Sequence, residues 1–476
     1  MSGRHDFAPE DAQALVERGF GSLHGARYVL LRVGDAPGDA REARLWLRSL
    51  TVTSLAAAKV GRLKQVSQIA FTAAGLRALD VPVDGIPGFA PEFLDGLAGD
   101  PSRSRRLGDV GPNDPSYWRW GYGAAEPHML LILLAEEDAI EDHLAQTLES
   151  MPHAACTLVA INAASTHVDR EPFGFVDGIS QPNVDWGGTL RPGGAKDRLY
   201  RDRIALGEFV LGYPNEYGFV ADYPVADGIG RNGTYLVYRQ LKQDVAGFWG
   251  WIAEQAGRNK AIALAELMVG RRIDGDPLPA LEQAGKGRNG FLFGADPDGI
   301  ACPIGAHIRR ANPRNGDDPQ GRQGFLNDIL SSLGLKGTAV HDAVASARFH
   351  RLLRRGRPYG PVPDPWASMM PAVSPDLVEE SGLHFICLNA SLARQFEFVQ
   401  GSWISSPYFA GLSGEQDPLL GNRCPANGGL PTDAFACHDA SGNPRLFSSM
   451  PHFVTVVGGA YFFLPGIAGL SRILRD

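Results

Sequence analysis

Three short segments of this chain carry residue types that could do chemistry together, and the first is built around one carboxylate. In the segment 172–182, Asp177 stands among apolar residues and is followed by Gly178. Burial in an apolar loop raises the pKa of a carboxylate toward the range in which it can act as a general acid or base. An Asp-Gly turn without chemistry is the competing interpretation, and the spacing alone favours it.

The second segment, 301–314, has one histidine followed by several arginines. His307 precedes Arg309, Arg310 and Arg314. A neutral imidazole is a common metal ligand, and guanidinium groups bind carboxylates through charge-assisted hydrogen bonds. Haem needs an axial ligand, cations for its propionates and apolar walls for its ring. A lone histidine is more often structural, so this segment alone leaves haem binding as one of two hypotheses.

The third segment, 350–360, places four arginines beside a Gly-x-Pro turn: Arg351, Arg354, Arg355 and Arg357. The apolar residues Leu352, Leu353 and Tyr359 indicate that this segment is partly buried. A buried arginine needs a carboxylate, a phosphate or a developing negative charge as its partner. A solvated, basic end of a helix is the alternative interpretation.

The elements that must position these segments follow a clear order in the first third of the chain. Apolar, β-rich runs at 28–33, 66–71, 129–135 and 156–163 alternate with helical spacing at 39–49 and 137–150. The order is β-α-β followed by β-α-β, which is typical of a split ferredoxin-like sheet with helices on one face. We therefore predict an N-terminal ferredoxin-like domain over 1–168.

The rest of the chain predicts a second half of the same kind. Residues 169–207 are rich in Gly, Pro, Asn and Asp, and we predict that they form a connecting loop that carries the first segment. Strands are predicted at 209–212, 235–240, 383–389 and 453–463, with a helix at 391–400. The predicted fold class is α+β, with two ferredoxin-like halves and the second domain over 169–476.

Composition limits the class of protein. The chain has 476 residues, of which 44% are hydrophobic and 21% charged, as in soluble globular proteins. Its net charge of -8 is the opposite of the basic footprint of a general nucleic-acid binder. Five widely separated cysteines indicate neither a disulfide framework nor a zinc site. Because the N-terminus shows no export signature, we predict a cytoplasmic protein.

One run could be mistaken for a membrane span. Residues 453–470 carry no charge and reach the length of a spanning helix. Several glycines and a proline interrupt the run and would leave backbone groups unsatisfied in lipid. We therefore predict buried strands joined by a glycine turn, and no membrane attachment.

Taken together, the three segments resemble the dye-decolorising peroxidase family. The resemblance rests on the G-x-x-D-G motif at 174–178, on Cys-Pro-Ile-Gly-Ala-His-Ile-Arg at 302–309 and on Leu-Arg-Arg-Gly-Arg-Pro-Tyr-Gly at 353–360. It extends through most of the chain, for example to Phe-Glu-Phe-Val-Gln at 396–400. It implies two ferredoxin-like domains and one haem b per chain, held mainly by the C-terminal half.

The resemblance also implies roles for single residues. Asp177 and Arg354 would be the catalytic residues on the distal side, and Arg354 would also contact the haem. His307 would be the axial ligand of the iron. The positions that would line the haem or bind its propionates are Gly178, Ile179, Ser180, Arg309, Asn312 and Arg314.

The chain departs from the family pattern in two places. The stretch between His307 and Arg354 is long, and we predict an insertion at 316–344. The family usually provides an acidic partner for the axial imidazole, and the position expected here holds Asn389 or Ser391, with Glu397 as the nearby acid. A missing acidic partner would raise the potential of the iron.

The function that follows is a haem peroxidase that uses hydrogen peroxide to oxidise dyes, phenols or similar small-molecule donors. It would act as a monomer or homo-oligomer, without nucleic acid or membrane as a partner. Two alternatives remain open. One is a protein that binds or handles haem or iron with little peroxide turnover, and the other is a structural α+β protein that binds no haem.

Overall fold

A computed structural model describes most of the chain. The described residues are 7–83, 88–166, 169–189, 203–225, 228–278, 282–283, 287–316, 346–369, 379–424, 431–439 and 441–475. The predicted insertion at 316–344 therefore lies outside the described residues, apart from Gly316. Within these ranges, no helix has both the length and the apolar character that crossing a membrane requires.

One antiparallel sheet of nine strands forms the centre of the protein. The strands in chain order are β1 (Gly25–Val33), β2 (Gln65–Phe71), β3 (Met129–Ala135), β4 (Cys156–Ala163), β5 (Thr234–Gln243), β6 (Leu353–Arg354), β7 (Arg357–Tyr359), β8 (Ser381–Asn389) and β9 (Val454–Leu464). Their spatial order is β6-β8-β5-β9-β2-β3-β1-β4, and β7 also pairs with β8.

The sheet consists of two halves with the same strand order. Strands β1 to β4 lie in the order 4-1-3-2. If β6 and β7 are taken as one interrupted strand, the second half follows the same order in the same direction: its fourth, first, third and second strands lie side by side as β9-β5-β8-β6. The halves meet where Phe71 of β2 pairs with Phe463 of β9. The α+β fold class is confirmed, and the domain boundary after residue 168 stays a prediction.

Helices surround the sheet and differ in length. The α-helices are α1 (Asp39–Ser49), α2 (Leu55–Val60), α3 (Ala73–Ala78), α4 (Pro91–Asp95), α5 (Pro101–Leu107), α6 (Ile140–Glu149), α7 (Val245–Ala256), α8 (Arg258–Val269), α9 (His307–Ala311), α10 (Pro365–Ser368) and α11 (Ile467–Ile473). The helix predicted at 391–400 is a pair of π-helical segments, Ala393–Glu397 and Val399–Ile404. These segments lie next to α9 and will matter for the site.

Both faces of the sheet are buried along most of its strands, although the edge strand β4 is largely exposed, and this burial explains the apolar runs in the sequence. In β1, Val29 and Leu31 belong to one core cluster with Trp46 of α1, whereas Tyr28 and Leu30 belong to a second cluster. Side chains of a strand alternate between the two faces, so a sheet covered on both sides needs apolar residues at successive positions.

One predicted strand and one predicted turn are wrong, whereas the strand predicted at 453–463 is confirmed as β9. Residues 209–212 form a turn, and Phe209 and Val210 are apolar because they are buried in the second core cluster. The run at 453–470 contains one long strand, β9, rather than strands joined by a glycine turn. Gly458 lies within β9, and a Cβ there would come within 2.4 Å of Trp120 Nε1. This glycine therefore allows close packing and does not make a turn.

Gly356 is the residue that interrupts the strand beside β8. A Cβ at this position would lie 2.3 Å from the backbone oxygen of His384. We expect Gly356→Ala to lower the free energy of unfolding by about 1–3 kcal/mol, because the added methyl group forces the backbone apart. Gly250→Ala is the control: it lies in α7 with no atom within 4 Å of an added Cβ. It should raise stability by about 0.5–1 kcal/mol.

Denaturant unfolding of both variants measures these changes. Equal stability of Gly356→Ala and the parent protein would show that the backbone at this junction can move without cost.

Candidate active site

The three segments singled out in the sequence line one cavity, which lies on the C-terminal half of the sheet. Apolar residues of β8, β9 and the π-helical segment form much of its wall: Leu383, Phe385, Phe396, Val454 and Val456. From the N-terminal half, the described residues that line it all fall within 107–113. The cavity is thus a mainly apolar pocket with a few charged groups, as ligand sites usually are.

Asp177 and Arg354 form a pair in this cavity. Arg354 Nη1 donates a hydrogen bond of 2.8 Å to Asp177 Oδ1. The loop turns sharply on both sides of the carboxylate, because Gly174 and Gly178 have φ angles of 98° and 77°. Glycine adopts such angles without the strain that a Cβ would cause. The two glycines of the motif therefore aim Asp177 at the arginine.

The pKa of Asp177 is lowered, so the prediction that its apolar loop would raise it is wrong. Burial does raise this pKa, but the charge of Arg354 and a hydrogen bond from the Gly178 N–H lower it by more. The neighbours of Asp177 along the loop are apolar and give no sign of this charge. The deciding group comes from 177 residues further along the chain.

Arg354 is held in place through its backbone. Its N–H donates to Gln181 Oε1 at 3.1 Å, and its carbonyl accepts from Gln181 Nε2 at 3.1 Å. Arg354 also pairs with Cys387 across β6 and β8. Gln181 therefore joins the loop that carries Asp177 to the strand that carries Arg354, and this glutamine was not predicted as a site residue.

His307 begins α9 and is held by Asp417. The distance between His307 Nδ1 and Asp417 Oδ2 is 2.9 Å. Asp417 is fully buried, and its Oδ1 accepts hydrogen bonds from the N–H groups of Leu419 and Leu420 at 2.9 and 2.8 Å. A carboxylate that is tied down by two backbone donors fixes the orientation of the imidazole.

The predicted position of this acidic partner is wrong. Glu397 instead bonds to Arg103 and accepts a hydrogen bond from the Tyr461 hydroxyl. Asn389 and Ser391 make their hydrogen bonds elsewhere, to Cys387 and to the backbone of Arg394. Asp417 is 110 residues from His307, in a loop without periodic pattern, so local sequence gave no signal for it.

The hydrogen bond to Asp417 determines which nitrogen of His307 can bind a metal. An ionised carboxylate only accepts, so Nδ1 is the protonated nitrogen and Nε2 carries the lone pair. Burial lowers the pKa of His307, but the charge of Asp417 raises it by more. Burial raises the pKa of Asp417, but the charge of His307 and the hydrogen bonds from His307 and the Leu420 N–H lower it by more.

The other predicted cofactor-binding residues divide into two groups. Gly178, Ile179, Ser180 and Asn312 line the cavity together with His307 and Arg354.

Arg309 and Arg314 do not line the cavity, so the geometry does not support their predicted contact with a cofactor. Arg309 donates to Asp296 and to the carbonyl of Cys302. Arg314 donates to the carbonyls of Asn289 and Phe291. Both guanidiniums therefore brace the loops around α9.

Arg271 and Arg351 line the cavity and were missed as site residues. Arg271 Nη1 donates to the carbonyls of Gly275 and Arg288, while its Nη2 is buried and bonds to none of the described residues. Burial first, and then the charges of Arg314 and Arg354, lower the pKa of Arg271 to about 10. This corner of the cavity is positively charged and suited to an anion.

Proteins of similar sequence are peroxidases of one kind. The chain is 28% identical over 466 residues to the multifunctional dye peroxidase DyP2 of Amycolatopsis sp., which covers 92% of this chain and 90% of that protein. It is 27% identical over 434 residues to the dye-decolorizing peroxidase AauDyP1 of Auricularia auricula-judae, with 85% and 74% covered. The chain is a relative of the dye-decolorising peroxidases. The resemblance found in the sequence is thereby confirmed, although no family model matches.

Solved structures of dye-decolorising peroxidases share the fold of the present chain over its whole length. A complex with 2,6-dimethoxyphenol aligns with a TM-score of 0.73 at 23% identity and covers 98% of this chain and 100% of that one. An ancestral D-type dye-decolorising peroxidase aligns with a TM-score of 0.74 at 22% identity and covers both chains completely.

The pairing of His307 with Asp417 leads to a first prediction for the site. In the cofactor-free protein, Asp417→Asn should lower the pKa of His307, because it removes the charge that outweighs burial. NMR titration of the imidazole measures this pKa. Asp439→Asn, an exposed change in the turn between the paired strands Phe435–His438 and Pro444–Phe447, is the control. An unchanged pKa in Asp417→Asn would mean that another group controls His307.

Proposed function

We propose that this chain is a haem peroxidase that reduces hydrogen peroxide and oxidises phenols, dyes or similar one-electron donors. The observation that carries the proposal is that Asp177, Arg354 and His307 line the same cavity, with Asp177 paired to Arg354 and His307 held by the buried Asp417 behind it. The first pair can move a proton and stabilise negative charge, and the second can present a neutral imidazole to a metal.

The residues around the cavity fit haem as the cofactor. The apolar wall suits a porphyrin ring, and the buried Nη2 of Arg271 suits a propionate. His384 also lines the cavity, but its two ring nitrogens bond to the Tyr238 hydroxyl and to the carbonyl of Ala163. His307 is therefore the ligand we assign to the iron. We infer haem b, with one haem per chain.

Each residue of the two pairs has one task in the proposed reaction. When bound, haem supplies the iron to which peroxide binds and the electrons that reduce it. Ionised Asp177 would accept a proton from peroxide and return it to the oxygen that leaves as water. Arg354 stabilises the negative charge on that departing oxygen. Asp417 keeps the proton on His307 Nδ1, so that Nε2 remains available to the iron.

The class of electron donor is supported by the relatives. One relative is named a multifunctional dye peroxidase, and a structural neighbour was solved with 2,6-dimethoxyphenol. We propose donors of this kind for the present chain. A cytoplasmic location and a monomeric or homo-oligomeric state remain proposals that rest on the sequence alone.

An absorption spectrum of the haem-reconstituted protein, with and without peroxide, tests the proposal. A peroxidase shows a Soret band that changes with peroxide and recovers when a phenol is added. A haem-handling protein shows the band with negligible turnover, and a structural protein shows no band. Either of these two results would replace the proposed function.

His307→Ala should abolish stable haem binding, because it removes the proposed iron ligand. The loss of affinity should exceed the ~10–100-fold typical of removing a residue that only supports a metal ligand. Transfer of haem to an acceptor protein measures the dissociation rate, and His24→Ala, at an exposed histidine, is the control. A full Soret band and a parental dissociation rate in His307→Ala would contradict the assignment.

Arg354→Leu should change both the rate and the pH profile of the reaction with peroxide. The rate constant should fall about 10²–10³-fold, as when one donor to a developing oxyanion is lost. Asp177 acts when ionised, so the rate falls as the pH drops through its pKa. Without Arg354 this pKa rises, and the acidic decline should move to higher pH.

Stopped-flow absorbance over about pH 3–8, spanning the ordinary carboxyl pKa, measures both effects. Arg354→Lys keeps the charge and should keep the position of the acidic decline, whereas Asp177→Asn should remove the decline. If Arg354→Leu shows the parental profile, Arg354 does not control the ionisation of Asp177.

A further inference from the structure

Glu171 has no task in the reaction described above, yet it lines the same cavity as Asp177. The loop between these residues folds around its carboxylate. Oε2 accepts from the N–H of Phe173 at 3.0 Å, and Oε1 accepts from the N–H of Phe175 at 2.9 Å. Gln243 Nε2, from β5, donates to Oε2 at 2.8 Å. One carboxylate therefore binds two backbone groups of the loop and the sheet beneath it.

The place of Asp177 depends on this part of the loop. The N–H of Glu171 donates to the carbonyl of Phe175 at 3.0 Å, which closes the turn. Trp249 Nε1 of α7 donates to the carbonyl of Phe173 at 3.2 Å. Asp177 follows directly after these bonds, so a shift at Phe173 and Phe175 would move its carboxylate away from Arg354.

Gln243 provides a place for a proton on Glu171. Its Oε1 is buried and has no hydrogen-bond partner among the described residues. An ionised carboxylate can only accept, and so cannot satisfy this oxygen. A protonated Glu171 can donate its O–H to Gln243 Oε1 while its other oxygen still accepts from the loop. The surroundings of Glu171 therefore suit the protonated side chain as well as the ionised one.

We propose that Glu171 is a proton-linked positioning residue, which takes up a proton when the loop 171–177 closes and thereby places Asp177 beside Arg354. The step is a simple protonation: a hydronium ion of the solvent gives up a proton to a Glu171 oxygen and becomes water, and Gln243 accepts a hydrogen bond from the new O–H. This inference rests on the proposed function, because it concerns the position of the catalytic carboxylate.

Electrostatics support the same conclusion. The pKa of Glu171 is raised to about 7, mainly by burial. The charge of Asp177 contributes to this rise, whereas the hydrogen bonds from Gln243 and the two backbone donors oppose it. The charged side chains that line the same cavity or bond to the same loop are Asp109, Arg170, Asp177, Arg239, Arg271, Arg351, Arg354 and Arg357, and the titratable His307 and His384 also line the cavity. Arg239 is paired with Asp109, and Arg170 bonds to the carbonyls of Gly174 and Ile273.

The direction of the pH effect follows from linkage. In an open loop Glu171 faces water and has its ordinary pKa of 4.5, whereas in the closed loop the pKa is about 7. The closed loop thus binds the proton more tightly, so low pH favours closure. Closure is fully favoured below the ordinary pKa and is progressively lost as the pH rises through about 7. The ratio of closed to open loop should change on the order of 100-fold over this range.

Hydrogen exchange of the Phe173 and Phe175 amides tests this inference, because both donate to Glu171. It is measured on the haem-loaded protein between about pH 5 and 8, around the raised pKa, and corrected for intrinsic exchange. Protection of both amides should fall as the pH rises through about 7. In Glu171→Gln, which cannot ionise, protection should no longer depend on pH.

Gln243→Met provides a second test that does not alter the loop. Gln243 bonds directly to the Glu171 carboxylate, so its removal should change the pH at which protection is lost. A merely structural glutamate would not produce this shift. Glu208→Gln is the matched control: Glu208 is buried and accepts from the backbone N–H of Glu216, but it does not line the cavity.

Three results would overturn the inference. They are protection that is independent of pH in the parent protein, a parental pH profile in Glu171→Gln, and an unshifted profile in Gln243→Met. If Glu171→Gln does not fold, the parent protein and Gln243→Met still decide the matter. The exchange is measured without peroxide, so a failure of the proposed peroxidase activity would be seen separately, in the spectrum with peroxide.

Discussion

The bond between Asp417 and His307 is the interaction on which the site depends. Asp417 is fully buried, and a buried carboxylate is tolerated only when it is paired and hydrogen-bonded. Breaking such a buried pair costs about 3–5 kcal/mol, because the remaining charge keeps its desolvation penalty. Arg310 of the same helix donates to the carbonyls of Trp403 and Glu415, so α9 is fixed to the loop that carries Asp417. The imidazole is therefore positioned by long-range contacts, and not by its own short helix.

The pair of Asp177 and Arg354 depends on a different kind of support. Asp177 lies on a loop and Arg354 on a two-residue strand, so neither element is rigid by itself. Gln181 joins the two backbones, and Gly356 lets the strand lie against β8. The pair of His307 and Asp417 and the pair of Asp177 and Arg354 thus come from separate parts of the C-terminal half. The sheet beneath the cavity is the element common to both.

The sequence predicted the central strands well, because a sheet buried on both faces needs long apolar runs. It missed β6 and β7, since these short strands are rich in arginine and lack such a run. The three motifs located Asp177, His307 and Arg354 in one cavity. Their partners Asp417 and Gln181 were missed, because contacts across more than 100 residues leave no local pattern. Charge alone was also misleading, since Arg309 and Arg314 brace loops rather than line the cavity.

Two carboxylates of one loop show how the surroundings determine protonation. Both Asp177 and Glu171 lie at the same cavity, and burial raises the pKa of each. Asp177 meets a full positive charge on Arg354, which outweighs burial and keeps it ionised as a proton acceptor. Among the described residues, Glu171 bonds to neutral donors and faces the negative charge of Asp177, so burial prevails. Backbone and amide dipoles can orient a carboxylate without keeping it charged, whereas a guanidinium does both. For that reason one loop can hold a carboxylate whose pKa is lowered and, beside it, a carboxyl group whose pKa is raised to about 7.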